Sequence, residues 1–259
     1  MKKIIFSFDD GRKDTFSVAF QTIKKIGLTA TINVASDFIE HPNDYNCFSS
    51  ANGKPMSIDE LKTVKQYGIE IACHGHKHIN DVNDLIENID CLRRWGLISN
   101  NVGFASPFSK ISKSNLMNID SLLSNGTIAY IRSGRQVRRE GFLYSCLYFL
   151  MDRTKSKRLF YALNKRSFIS PVNSSFYYGI SITKNTTLKQ IKYLITKMPD
   201  NYAAILIFHS ILNKSFESYG ADKWYWDDDE FKKLCLFIKE SKDVECITNM
   251  ELNNENRHL

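Results

Sequence analysis

The chain has 259 residues, of which 43% are hydrophobic and 24% are charged. This composition is ordinary for a soluble globular protein and excludes disorder as the main state of the chain. The formal net charge of +7 suits an anionic ligand, a membrane surface or nucleic acid, although lysines scattered over solvated faces would give the same total.

The first predicted element is a strand in "KKIIFSF", whose apolar part is too short for the core of a signal peptide. No stretch reaches the ~18 to 20 apolar residues of a membrane span. The chain has six cysteines and no CxxC pair, which fits reduced thiols better than disulfides or a zinc knot. We therefore expect a cytoplasmic protein without a transmembrane segment.

Predicted helices and strands then alternate along the chain, which is typical of an α/β fold. A helix over residues 14–27 and a strand over 29–35 come first. The next helix begins at a capping box formed by Ser57 and Glu60 and ends at Gly68. It is followed by the strand "IEIAC", the helix "DLIENIDCLRRWG", the strand "NVGFASPF", the helix "KSNLMNIDSLLSNG" and the strand "TIAYIRSG".

The alternation lapses between residues 136 and 175, a basic and aromatic stretch that we interpret as an insertion or a long loop. It resumes with the strand "FYYGISI", the helix "TLKQIKYLITKMPDN", the strand "YAAILIFHS", the helix "DDDEFKKLCLFIKES" and the strand "VECITNM". Seven or eight such units around one core predict a single domain over residues 1–259. We expect a (β/α) barrel whose site lies at the C-terminal ends of its strands.

Polar residues follow several of the predicted strands, so a barrel would gather them at one mouth. They are Asp9, Asp10, His74, His78, Ser106, Pro107, Arg132 and His209. One aspartate with two histidines is a common ligand set for a divalent metal. A second carboxylate can accept a proton from water, and a separate histidine can donate one to a leaving group. The set predicts metal-assisted hydrolysis.

The cluster "HGHKH" leaves open which two imidazoles bind the metal. His74 and His78 share a face if the chain turns helical, whereas His74 and His76 share one if it stays extended. Taken alone, "DDG" is a common turn signal, and His209 could be a hydrogen-bonded core histidine. Three neighbouring imidazoles, however, repel once protonated and pack poorly, so the cluster favours a metal site.

Four motifs in chain order resemble those of the NodB-like polysaccharide deacetylases, the family-four carbohydrate esterases. They are "FSFDDG" at 6–11, "HGHKH" at 74–78, "FASPF" at 104–108 and "LIFH" at 206–209. The resemblance runs from about residue 3 to residue 250. It implies a distorted (β/α) barrel that removes acetyl groups from sugars with one divalent metal. Zinc is the expected metal because it suits nitrogen and oxygen ligands with open positions, with cobalt, nickel or manganese as alternatives.

The resemblance also implies roles for individual residues. Asp9 resembles the family's catalytic base, and His209 resembles the general acid that protonates the departing amine. The implied metal ligands are Asp10, His74 and His78. His76 falls at a variable position of the motif, so we expect it either behind the ligands or exposed to solvent.

Two parts of the family pattern are missing. Ala105 stands where the third motif normally carries an arginine that orients the catalytic aspartate. We expect Arg132, at the next strand end, to complete the catalytic set by holding Asp9, with Arg135 as the weaker alternative. The fourth motif, an aspartate and tryptophan pair, has no counterpart that we can locate, so the carboxylate that would orient His209 is unassigned.

Three further residues are expected to contact substrate. Pro107 and Phe108 belong to the third motif, and the backbone N–H of Phe108 would face the negative charge that develops on the acyl oxygen. Trp224 could stack on a sugar ring or, equally, cover a helix start. We expect no nucleic-acid partner, and the sequence leaves the oligomeric state open.

The expected substrate is an N-acetylated sugar met inside the cell, as a nucleotide-linked or lipid-linked precursor of a surface polysaccharide. The basic insertion would hold the phosphates of such a carrier. Two alternatives remain open: a NodB-like amidohydrolase that acts on a small non-sugar amide, and a carbohydrate-binding relic without activity. Bound metal and release of acetate distinguish the three.

Overall fold

Seven parallel strands form a closed barrel in the computed structural model, which describes residues 1–42, 54–111, 113–134, 141–171, 174–216, 219 and 223–257. The strands are β1 Lys2–Phe8, β2 Thr31–Val34, β3 Glu70–Cys73, β4 Val102–Ala105, β5 Ile128–Gly134, β6 Phe176–Ser181 and β7 Ala203–Phe208. Each pairs with the next, and β7 pairs with β1 from Lys3–Ala203 to Phe8–Phe208, which closes the barrel. The predicted (β/α) barrel is confirmed.

Three short strands lie outside this ring. Strands β8 (Ser210–Leu212) and β9 (Tyr225–Asp227) pair only with each other, and β10 (Val244–Cys246) pairs with β1. Because β7 lies along one edge of β1, β10 and β2 must share the other edge. This leaves β2 only two residue pairs with β1, at Ser7 and Phe8. The predicted strand "VECITNM" therefore exists over Val244–Cys246. It is not one of the seven barrel strands; it occupies the edge of β1 that β2 would otherwise pair with.

Helices surround the strands. They are α1 Gln21–Ile26, which continues a π-helical segment Thr15–Phe20, then α2 Ser36–Glu40, α3 Ile58–Gln66, α4 Val82–Arg94, α5 Lys113–Ser124, α6 Phe142–Thr154, α7 Lys157–Asn164, α8 Leu188–Lys197, α9 Asp228–Glu240 and α10 Asn249–Arg257. The predicted capping box of α3 is present, because the side chains of Ser57 and Glu60 accept from each other's backbone N–H. None of the helices in the described ranges is long and apolar enough to cross a bilayer.

The two faces of β1 show how the fold prepares the site. Ile4, Phe6 and Phe8 pack in the large apolar cluster that joins the strands to the surrounding helices. Ile5 belongs to a separate cluster with inward residues of other strands, such as Tyr130. Since side chains alternate along a strand, the residues after Ile5 on this inner face are Ser7 and then Asp9. The barrel interior thus changes from apolar to polar towards its mouth.

Most of the described part of the predicted insertion is helical. Helices α6 and α7 and a short 3-10 turn at Lys165–Ser167 occupy residues 142–167, before β6 begins at Phe176. The first part of the insertion, up to residue 140, and residues 172–173 lie outside the described residues. Helix α6 packs on α7, and α7 packs on α8. The stretch with weak periodicity is therefore a helical pair added to the barrel, at least over residues 142–167.

Candidate active site

The residues expected at the mouth come from the ends of five strands. Asp9 and Asp10 directly follow β1, and the histidine cluster lies in the loop between β3 and α4. Pro107 and Phe108 form a 3-10 turn after β4, Arg132 lies in the second half of β5, and His209 follows β7. All seven strands run parallel, so these residues share one end of the barrel.

Three side chains bring their ligand atoms together at this mouth. Nε2 of His74 lies 3.2 Å from Nε2 of His78 and 3.4 Å from Oδ1 of Asp10, and Nε2 of His78 lies 3.7 Å from the same oxygen. Ligands that bind one tetrahedral zinc at about 2.1 Å are about 3.4 Å apart. The three side chains are buried, so the structure places a compact set of two nitrogens and one oxygen where a divalent metal fits.

Backbone geometry and hydrogen bonds point these atoms at one another. Nδ1 of His74 lies 2.8 Å from the carbonyl oxygen of Ala105, which can only accept. Nδ1 therefore carries a proton, which leaves Nε2 as the atom of this ring that could bind a metal. Asp10 and His78 both have positive φ, 78° and 57°, a conformation that non-glycine residues rarely adopt. A strained backbone at two of these three residues is typical of functional sites.

The charges around this triad favour the metal-binding forms of Asp10 and His78. For His74, burial is outweighed by the charges of Asp9 and Asp10, which raise its pKa, so its Nε2 must lose a proton to bind a metal. Burial raises the pKa of Asp10, but the Arg12 guanidinium and the His74 ring outweigh that effect and hold the pKa well below its usual range. Nε and Nη2 of Arg12 both lie 2.8 Å from Oδ2 of Asp10, which leaves Oδ1 facing the histidines. Burial and the charge of His74 lower the pKa of His78 to about 4, so its ring is neutral, as a metal ligand must be.

Asp9 has its own arginine. Nη2 of Arg132 and Nδ2 of Asn33 both donate to Oδ1 of Asp9, the latter at 2.8 Å, while Oδ2 lies 3.9 Å from Nε2 of His74. Burial raises the pKa of Asp9, but the charges of Arg132 and His74 more than offset it, and the pKa is lowered overall. One carboxylate oxygen is thus fixed by two donors, and the other faces the triad.

The contact between Arg132 and Asp9 is the one expected from the sequence. Arg132 is fully buried, and its Cα pairs in register with that of Ala105 on β4. The guanidinium therefore approaches Asp9 from the strand next to the position where the family pattern carries its arginine. Arg135, the weaker candidate, lies outside the described residues.

His209 and the expected substrate contacts line the same mouth. The His209 ring lies against Trp224, with centroids 4.9 Å apart, and burial lowers the pKa of His209. Its Nδ1 is buried and has no hydrogen-bond partner among the described residues, so no carboxylate there orients it. Phe108 is 64% exposed and its ring lies 4.5 Å from that of His78, whereas Pro107 is buried.

His76 is neither exposed nor directed at the triad. It is only 4% exposed, its Nδ1 lies 2.9 Å from Oγ of Ser36, and its Nε2 lies 3.3 Å from Oε1 of Glu87. Within "HGHKH", the rings of His74 and His78 therefore face each other, while the ring of His76 turns away from them. Of the two positions expected for His76, the exposed one is excluded, because its ring is buried against α2 and α4.

Several residues that shape the site are absent from the predicted set. Arg12 and Asn33 hold the two adjacent carboxylates, and Asp84 of α4 holds the histidine loop, since its two oxygens accept from Lys77 N at 2.8 Å and Ile79 N at 3.2 Å. A sequence signal existed for Asn33, a polar residue inside the short apolar strand "TINV". Nothing comparable marks Asp84 among the other polar residues of its helix.

Comparisons with known proteins agree with this description. A family model described as "Polysaccharide deacetylase" matches residues 1–112. The Bacillus subtilis (strain 168) protein YxkH, whose name assigns it provisionally to the polysaccharide deacetylases, is 28% identical over 78 residues. The aligned segment covers 30% of this chain and 24% of that relative, so the chain spans about a quarter of its length.

Solved structures share the fold along the whole chain. The Xyl-CE4 domain of a xylanase from the Trinervitermes trinervoides hindgut metagenome matches with a TM-score of 0.54 and 12% identity, covering 99% of this chain and 91% of that one. A family 4 acetyl xylan esterase from Clostridium thermocellum, solved with a cobalt ion, matches with a TM-score of 0.52 and 12% identity. The match covers 97% of this chain and 90% of that one. Peptidoglycan deacetylase PdaC from Bacillus subtilis matches with a TM-score of 0.53 and 9% identity, covering 99% of this chain and 92% of that one. The chain is therefore similar to the polysaccharide deacetylases over residues 1–112, and it shares the fold of these solved structures over nearly its whole length.

Proposed function

We propose that the protein is a metal-dependent carbohydrate deacetylase that removes the acetyl group of an N-acetylated sugar. The observation that carries this proposal is the facing arrangement of Asp10, His74 and His78 beside the paired Asp9 and Arg132. A relic that only binds sugar would have no need for three buried ligands converging on one point, with a separately held carboxylate next to them.

Each residue of the site has a separate role in the hydrolysis of an amide. A divalent metal held by Asp10, His74 and His78 would polarise water and the acyl carbonyl. Asp9 accepts the proton of the attacking water at Oδ2, because Arg132 and Asn33 hold its other oxygen. His209 donates a proton to the departing amine; burial lowers its pKa, while the charges of Asp10 and Asp9 act in the opposite direction and favour the protonated ring. Phe108 and Trp224 present aromatic faces at the mouth for the sugar ring.

The proposed metal is zinc, with cobalt, nickel or manganese able to replace it. Two imidazole nitrogens and one carboxylate oxygen suit zinc, and three protein ligands leave positions for water and substrate. The similar acetyl xylan esterase from Clostridium thermocellum was solved with a cobalt ion, which supports a site of this kind without fixing the metal used here.

We further propose that the substrate is an intracellular, nucleotide-linked or lipid-linked precursor of a surface polysaccharide. Five described cysteines, Cys73, Cys91, Cys146, Cys235 and Cys246, are free thiols, which fits the reducing cytoplasm. The basic residues of the insertion provide positive charge for the phosphates of such a carrier. Cys47 lies outside the described residues.

Acetate release from a panel of substrates tests the activity. The zinc-loaded protein should release acetate from N-acetyl sugars in nucleotide-linked, lipid-linked or oligomeric form. Asp9→Asn should keep the metal and lose on the order of 10²- to 10⁴-fold in rate, since an amide cannot accept the proton. Asp90→Asn, on the exposed side of α4, is the matched control and should leave the rate unchanged.

The panel also separates the rival functions. Turnover of small non-sugar amides without turnover of any sugar would identify an amidohydrolase instead of a carbohydrate deacetylase. Metal binding without release of acetate from any substrate would point to the relic. Wild-type activity in Asp9→Asn would remove Asp9 from the mechanism.

The metal ligands can be tested independently of turnover. His74→Ala should lose stoichiometric zinc, because it removes the nitrogen closest to both other ligand atoms. His76→Ala should keep it, because its ring faces Ser36 and Glu87. Elemental analysis of the purified variants measures this, and the opposite result would mean that the ligand pair is misassigned.

A further inference from the structure

Helix α6 is apolar on two opposite faces. Its inner face packs against the core cluster through Tyr144, Leu147, Tyr148 and Met151. Its outer face carries Phe142, Leu143, Cys146, Phe149 and Leu150, all of them exposed. The spacing of these five residues, i, i+1, i+4, i+7 and i+8, places them along one side of the helix. We call these five residues the outer α6 face.

The exposure of this face is large and contiguous. Phe142 is 86% exposed, and Leu143 and Phe149 are each 67% exposed. Single apolar residues on a surface need no explanation, but four large ones on one helix form a patch that marks an interaction site. The inner face already supplies the packing that holds α6 in the fold, so the outer face is not needed for that purpose.

The sequence around this helix carries the whole excess charge of the protein. Nine Lys and Arg residues but only two Asp and Glu residues lie between positions 135 and 166, an excess of seven. This equals the net charge of +7, so the rest of the chain is balanced. Arg153, Lys155, Lys157 and Arg158 are exposed and follow the outer α6 face at the C-terminal end of the helix. Four of these positive charges therefore lie at the end of the exposed patch.

We propose that the outer α6 face docks on the surface of an anionic lipid bilayer. A helix that exposes Phe and Leu on one side next to clustered Lys and Arg is typical of segments that lie in the membrane interface. At 13 residues it is about 20 Å long, too short to span the bilayer, so it lies on it. A second copy is the poorer occupant, because pairing two such faces would bring two basic clusters together.

Docking would bring the barrel mouth towards the membrane. Nζ of Lys155, just after α6, donates to the carbonyl oxygen of Asn185 at 2.9 Å, in the loop that follows the C-terminal end of β6. The basic end of α6 thus lies at the same end of the barrel as Asp9 and the metal triad. If the proposed function holds, this arrangement favours an acetylated sugar carried on a membrane lipid over a soluble nucleotide-linked one.

Binding to vesicles tests the surface without using the catalytic site. The full-length protein should sediment with vesicles of equal parts phosphatidylglycerol and phosphatidylcholine at least about tenfold more strongly than with pure phosphatidylcholine vesicles. Added salt should weaken this binding, because it screens the basic residues. Phe149→Asp should reduce it on the order of tenfold or more, since burial of the ring is lost. Arg153→Gln combined with Arg158→Gln should reduce binding only to the anionic vesicles.

Leu236→Asp provides the matched control, because Leu236 is an exposed leucine on α9, away from the basic cluster. It should bind vesicles like the wild type, and circular dichroism should show all variants folded. Equal binding of Phe149→Asp and wild type, or no binding of the wild type to anionic vesicles, overturns the proposal. So does a lipid-free dimer that Phe149→Asp converts to monomers, since a second copy would then cover the face. None of these measurements depends on turnover, so failure of the docking proposal can be distinguished from failure of the proposed deacetylase activity.

Discussion

Asp9 and Asp10 are adjacent carboxylates that their surroundings make different. Arg12 holds one oxygen of Asp10 and leaves the other to the histidines, whereas Arg132 and Asn33 hold one oxygen of Asp9. Each aspartate thus has its own arginine, which allows two charged groups to stand side by side in a buried place. Different partners can give neighbouring carboxylates different tasks, here a metal ligand and a base.

The role of Arg132 can be tested by removing its guanidinium and by introducing an arginine at position 105 on the neighbouring strand. Arg132→Ala should lower turnover on the order of 10²-fold with zinc content unchanged, because Asp9 loses its orientation. Ala105 pairs in register with Arg132, so Arg132→Ala combined with Ala105→Arg returns a guanidinium to the neighbouring strand and should restore part of the rate. The measurement is kcat and zinc content for both variants. A double variant as slow as Arg132→Ala, with both folded, would show that Arg132 does more than position Asp9.

The sequence was sufficient for much of the residue-scale site. The positions of Asp9, Asp10, His74, His78 and His209 at strand ends followed from the alternation of apolar runs and polar residues. The choice between His76 and His78 as the partner of His74 did not follow from this alternation, because the loop is neither helical nor extended. His78 has positive φ, and that turn brings its ring back to His74. A local backbone conformation of this kind leaves no periodic signal in the sequence.

At the scale of elements, helix α4 positions the histidine loop. Asp84 accepts from the N–H groups of Lys77 and Ile79, and Oδ1 of Asn88 accepts from His74 N at 3.0 Å. Gly75 has φ of 79°, and a Cβ there would lie 2.5 Å from Oδ2 of Asp84. Any side chain at position 75 would therefore clash with Asp84, so the anchoring of this loop by Asp84 requires the glycine.

Asp84→Ala should weaken zinc binding about 10- to 100-fold although Asp84 is not a ligand, because the loop that carries His74 and His78 loses two anchoring hydrogen bonds. A competition titration with a chromophoric chelator measures the affinity. Asp81→Ala is the matched control. Asp81 caps α4 through Asn83 N, so its loss should cost about 1 kcal/mol of stability and leave the zinc affinity unchanged. Equal losses in both variants would mean that α4 acts only through general stability.

At the scale of the whole molecule, the barrel was predictable and its closure was not. The alternation of strands and helices indicated the parallel architecture, since such a rhythm requires crossover connections. Which strands share an edge depends on contacts between distant parts of the chain. For that reason the place of β10 beside β1, and the pairing of β8 with β9, could not be read from local patterns. The same holds for helix α6, whose inner and outer faces are both apolar.

Asp14 joins the two ends of this closed fold and should make its stability depend on pH. Oδ2 of Asp14 accepts from the N–H of Ile211 at 2.7 Å, 197 residues away. Burial raises the pKa of Asp14 to about 6, against the lowering effects of that hydrogen bond and of Arg12. In the unfolded chain the pKa is 3.8, so the unfolded state loses this proton first as pH rises. Folding is therefore penalised increasingly between pH 4 and 6 and fully above that range.

Replacing Asp14 by asparagine should remove this penalty, since the amide oxygen can still accept from Ile211 and carries no charge to bury. The free energy of unfolding of Asp14→Asn minus that of the wild type should increase from pH 4 to pH 7.5 by up to about 3 kcal/mol. Urea titrations at both pH values, with the metal content held constant, measure it. Asp90→Asn, an exposed control, should show a difference near zero at both. A difference for Asp14→Asn that stays constant with pH would show that Asp14 is already ionised in the folded protein at pH 4, with Arg12 as its effective partner.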